Sequence, residues 1–163
     1  SQFKPIESFS ATSVSPSATS GPLATTVIVY RYAEPAEIEE LALVLRKEGS
    51  KALLRALAKY EMGRLTTTER GVGLALRLVY EVATPNGRRV VALTERPVSF
   101  LEFWYSTRSR DYEFAYLELD LDASGNGEGS LVRAGQIDSI GARTLLVTNY
   151  DAQPIRLLAV RKR

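Results

Sequence analysis

The chain has 163 residues and a formal net charge of +2. It has no run of about 18 apolar residues and no basic stripe, so neither a membrane span nor a nucleic-acid partner is expected. It has no histidine and no cysteine, which excludes Ser-His-Asp and Cys-His catalysis, structural zinc, haem held by His or Cys, and iron–sulfur clusters.

In chain order, residues 1–22 hold twelve Ser, Thr or Pro, too few large apolar side chains to offset the entropy of ordering. They read as a disordered leader, of the kind that begins an exported chain once its signal peptide is removed. Residues 23–163 read as a single α+β domain. Thr25 to Tyr32 is β-branched and aromatic, a strand composition. Pro35 suits a first helical position, and Ile38, Leu41, Ala42 and Leu45 form one helical stripe over 35–47. Gly49 is a helix stop and Ser50 a cap for a second helix running to about Tyr60. From Leu65 the period changes to two. Leu74, Leu76, Leu78, Tyr80 and Val82 are expected on one face of a strand, with Ala75, Arg77, Val79 and Glu81 on the other. Pro85-Asn86-Gly87 predicts a hairpin, on the tolerance of Asn-Gly for positive φ. Further strands are predicted over 88–95, 112–122, 130–137, 143–150 and 154–160. Residues 98–107 fit a strand or a short helix equally.

These elements predict a mainly antiparallel α+β fold, a strongly bent sheet or partly open barrel with one N-terminal helical hairpin. A two-sheet sandwich is the alternative. The terminal Arg161-Lys162-Arg163 reads as a solvated basic end.

Two segments carry candidate chemistry. Asp120, Asp122 and Ser124 alternate as in the first half of a calcium loop, with Gly125 at the sharp turn. Leu131 stands where such a loop needs a bidentate glutamate, so a hairpin turn is the competing reading and no cofactor other than calcium is in view. The second segment is aromatic and charged: Phe100, Glu102, Trp104, Tyr105, Arg110, Asp111 and Tyr112. Aromatic faces stack on sugars or apolar ligands, and a carboxylate or guanidinium beside them fixes orientation. The same residue types also favour sheet cores. An acid and base pair of Glu102 with Asp111, or of Asp111 with Glu118, would support a small hydrolase.

Three further segments, TERPVSF at 94–100, RDYEFAYLELDLDASGNGEG at 110–129 and TNYDAQPIRLLAVR at 148–161, resemble in order and wording a family of small exported bacterial proteins without assigned function. The resemblance covers about residues 30–161. It implies export to the periplasm or the outside of the cell, and a single domain. It implies no chemistry. Together these readings point to a non-catalytic module that binds a protein or a small molecule. The alternatives are a carboxylate-dependent hydrolase and a structural component of the envelope.

Overall fold

The computed structural model describes residues 4–15, 21–67, 73–95, 114–141, 145–149 and 154–163. Strands form where apolar residues alternate with small or polar ones, and helices where apolar residues recur every three or four positions. In order they are β1 (Glu7–Val14), β2 (Leu23–Val29), α1 (Pro35–Glu48), α2 (Ser50–Leu57), β3 (Gly63–Thr67), β4 (Leu74–Leu76), β5 (Leu78–Thr84), β6 (Gly87–Glu95), β7 (Phe114–Asp122), β8 (Gly127–Ile140), β9 (Leu145–Asn149) and β10 (Ile155–Lys162).

The strands make one antiparallel sheet in the order β4-β3-β2-β1-β10-β8-β7-β6-β5, with β9 pairing β8. β4 and β5 end this order on opposite sides, yet only Arg77 separates them in the chain. The sheet therefore curls until its two ends meet, giving a nearly closed barrel rather than a sandwich. Side chains fasten the seam. The Thr94 hydroxyl donates to the Ala75 carbonyl at 2.7 Å. Arg77 donates to the Glu95 carboxylate at 3.1 Å and to the Tyr60 carbonyl at 3.1 Å.

Register fixes what faces inward. Phe9, Val27, Leu65 and Leu74 stand opposite one another across four strands. Val79, Ala92, Leu117 and Leu131 do so across the four on the other side. Six of these eight are buried, and Leu74 and Leu131 are partly so, so side chains fill the lumen, as in other small barrels. The break at Arg77 overturns one expectation. Leu74 and Leu76 share the inner row, but beyond Arg77 that row passes to Val79 and Glu81. Leu78, Tyr80 and Val82 turn to the other face with Leu93, Val91 and Arg89. A strand that leaves one partner for another at a corner cannot keep one parity.

The helical pair lies between β2 and β3, with α1 against β8 and α2 against β6. Ile38, Leu41, Ala52, Leu53 and Leu57 are its buried residues. Gly49, at φ 92°, ends α1 and is also the residue before α2. Ser50 is thus the first residue of α2 and makes no cap. Among the described residues, no helix is long and apolar enough to cross a membrane.

The expected disordered leader is corrected over residues 7–14, which form β1. That strand lies between β2 and β10. Both edges of its backbone are paired, and Phe9, fully buried, anchors it in the lumen. Tertiary pairing overrides the poor composition here. The basic terminus is exposed at all three residues, as expected, but it is also tied into the sheet. Lys162 lies within β10 and pairs with Glu7, while the Arg163 N–H donates to the Ser8 carbonyl at 2.9 Å.

Candidate functional site

The densest polar group in the described residues closes one end of the barrel. Glu7 opens β1 and Arg88 lies near the start of β6, 81 residues later. The two strands are not neighbours, so the pair spans the lumen. Arg88 grips the carboxylate with both nitrogens, Nη1 to Oε2 at 2.7 Å and Nη2 to Oε1 at 2.6 Å. This fork geometry is the strongest that an arginine and a carboxylate make. The Tyr32 hydroxyl donates to the same carboxylate. Lys162 lies 3.2 Å away and Glu81 pairs with Arg88 at 3.0 Å. The guanidinium also stands 5.7 Å from the centroid of the Phe9 ring, within cation–π range.

The electrostatics follow from that packing. The Arg88 hydrogen bonds, against the upward push of burial, hold Glu7 at about 2 instead of the ordinary 4.5, with help from Tyr32 and Lys162. Burial, then the Glu7 carboxylate, push the Tyr32 phenol upward. Glu7 drives the Arg88 pKa upward as well. Glu7 and Arg88 therefore keep their charges, and Tyr32 its proton, near neutral pH.

A second network lies on the other face of β5, β6 and β7. Arg89 meets Asp120 at 2.7 Å and Glu118 at 2.9 Å, and the Tyr116 hydroxyl donates to Glu118. Tyr80 is 2% exposed, and its hydroxyl has no hydrogen-bond partner. Burial, with Glu118 nearby, pushes its pKa up to about 12. Beside this network is an open groove of about 550 Å³ whose lining includes Asn86, Arg89, Asp120, Asp122, Asn126 and Glu128.

This groove contains two of the three calcium candidates. Asp122 accepts the Ser124 and Asn126 N–H groups on one oxygen, at 2.8 and 3.1 Å. Gly125, at φ 84°, completes the turn, so Asp122 acts as a turn cap. Asp120 is engaged by Arg89, and Ser124 enters only through its backbone. Among the described residues no three carboxylates gather as a metal site would need. The aromatic candidates Phe100, Glu102, Trp104, Tyr105, Arg110, Asp111 and Tyr112 lie outside the described residues, in the connection from Glu95 of β6 to Phe114 of β7. So does the choice of helix or strand at 98–107.

A third feature is apolar. α1 and the end of β8 flank an open groove of about 600 Å³, lined by Ile38, Ala42, Leu43, Leu45 and Ile140, with Glu39 and Arg46 at its rim.

Sequence reading missed the Glu7–Arg88 group, because nothing local links positions 81 residues apart. The one available signal was the alternation of Glu7, Phe9 and Ala11 inside a serine-rich stretch. Comparison with family models, curated proteins and solved structures finds no match.

Proposed function

We propose that this protein is a non-catalytic binding module. The observation that carries the reading is the direction in which three described carboxylates, Glu7, Glu37 and Glu95, are displaced. Arg88 holds Glu7 down and Arg31 holds Glu37 down. At Glu95 burial works to raise the pKa, and the Arg77 hydrogen bonds overcome it. A hydrolytic general acid needs the opposite, a carboxyl kept protonated near neutral pH. Glu118, one member of the sequence-level acid–base pairs, is engaged by Arg89 and Tyr116. The lumen is filled, so binding falls to the surface and to the connections between strands. The aromatic segment between β6 and β7, with Phe100, Trp104, Tyr105 and Tyr112 flanked by Glu102, Arg110 and Asp111, is the segment to which we assign binding, on composition.

The test is a thermal-shift panel of oligosaccharides, fatty acids and short peptides, run beside hydrolysis assays on the same compounds. A ligand at one hundred times its dissociation constant adds about 2.7 kcal/mol of stability, several degrees for a domain of this size. The reading expects such a shift without turnover. Turnover abolished by Asp111→Asn or Glu102→Gln would replace it with the hydrolase. We also take the protein to be exported, on the resemblance of its three segments. Fractionation of cells that carry the tagged gene product checks this, and a cytoplasmic pool alone would refute it.

A further inference from the structure

We infer that α1 is a self-association surface, which pairs with α1 of a second copy in antiparallel fashion about a two-fold axis near Leu43. Leu43 is 42% exposed, and it and Ile6 are the large hydrophobic residues left exposed among those described. It stands at the lip of the groove between α1 and the end of β8. Polar residues around it are arranged symmetrically. Glu39 and Arg46 lie seven positions apart, about 10 Å along the axis and on one face, with Ala42 and Leu43 midway. Glu40 and Lys47 repeat the pattern one position on. None of these four makes an ion pair within the described residues, whereas Arg31, Arg77, Arg88 and Arg89 all do.

Acid before the leucine and base after it is the pattern that an isologous contact requires. In an antiparallel pair, Glu39 of one copy meets Arg46 of the other, twice over. Leu43 of each copy enters the groove beside α1 of its mate. Acidic residues early and basic residues late in a helix also suit its dipole, but the dipole calls for no exposed leucine between them. One helix and one groove bury less than the roughly 1,600 Å² of a standard stable interface, so the dimer is weak and reversible.

Sedimentation velocity on the full chain, from micromolar to millimolar, reads this directly. The wild type should shift from monomer to dimer across that range, and Leu43→Glu should stay monomeric. Glu39→Arg alone places arginine against arginine, and Arg46→Glu alone places glutamate against glutamate. Each should weaken association about tenfold or more. An equimolar mixture of the two restores opposite charges at both contacts and should dimerise again. All three positions are exposed, and circular dichroism and melting curves confirm that the variants fold. A wild type that stays monomeric throughout overturns the inference. So does a dimer indifferent to Leu43→Glu, or a mixture no more associated than its components.

Discussion

Glu7→Gln removes one of the two carboxylates at this end of the barrel and leaves Arg88 with Glu81 as its remaining ion-pair partner among the described residues. The drop of the Glu7 pKa from 4.5 to about 2 corresponds to at most about 3.4 kcal/mol. The side chains of Glu7 and Arg88 are 12% and 23% exposed, between a surface pair worth under about 1 kcal/mol and a buried pair whose breakage costs about 3 to 5. Allowing for solvent at Arg88 and Lys162, the expected loss is about 2 kcal/mol, or about 4 to 8 °C in Tm. The sign with pH is fixed by the direction of the shift. A carboxylate depressed in the folded state contributes its full stability above the unfolded pKa, and that contribution fades as pH falls toward the folded value. The gap between wild type and Glu7→Gln should therefore be full at pH 7, begin to shrink near pH 4.5 and be almost gone near pH 2. Urea unfolding followed by circular dichroism at pH 7, 5, 4 and 3 measures it. A variant within about 0.5 kcal/mol of wild type at pH 7 would refute the reasoning, as would a deficit that stays constant from pH 7 to pH 3.

Substitutions at three other positions test other elements. Ala159, at φ 50°, sits in a bulge of β10 where a left-handed L-residue costs about 1 to 2 kcal/mol. Ala159→Gly should gain up to about 1 kcal/mol in thermal unfolding, and Ala159→Val should lose stability. Tyr80→Phe removes a buried hydroxyl without a partner and should be neutral or stabilising by about 1 kcal/mol in urea titration. A clear loss would mean that the hydroxyl is satisfied. Asp122→Ala should cost about 1 kcal/mol through its two lost turn bonds, while Asp122→Asn should retain most of that stability. Calcium or EDTA should leave the melting temperature of all three Asp122 forms unchanged, and a calcium shift that EDTA reverses would restore the ligand reading of Asp120 and Asp122.

Much of the fold was legible because local patterns decided it. The stripe Ile38-Leu41-Ala42-Leu45 and the stop at Gly49 give α1 within one residue at its end. The alternation Ala115-Leu117-Leu119-Leu121 gives β7. The turn at Pro85-Asn86 was placed correctly, but for another reason. The two loop residues are Pro85 and Asn86, with Thr84 opposite Gly87, and Ala159 is the described non-glycine residue with positive φ. What was hidden is long-range. β1 is a strand because β2 and β10 flank it, and the corner at Arg77 exists because one strand must serve both ends of the sheet. The polar end of the barrel joins Glu7, Tyr32, Arg88 and Lys162 from four separate parts of the chain, and no window of sequence contains more than one of them.

The central claim, a surface that binds without catalysis, is tested most directly by tryptophan fluorescence. The chain has a single tryptophan, Trp104, in the segment assigned to binding. Titration with the panel of sugars, fatty acids and peptides should give a saturable change with one class of compound, with that compound recovered intact. Tyr105→Ala or Tyr112→Ala should weaken the change while leaving the melting temperature near wild type. A spectrum unchanged by the whole panel, together with a compound consumed in a reaction that Asp111→Asn abolishes, would contradict the account.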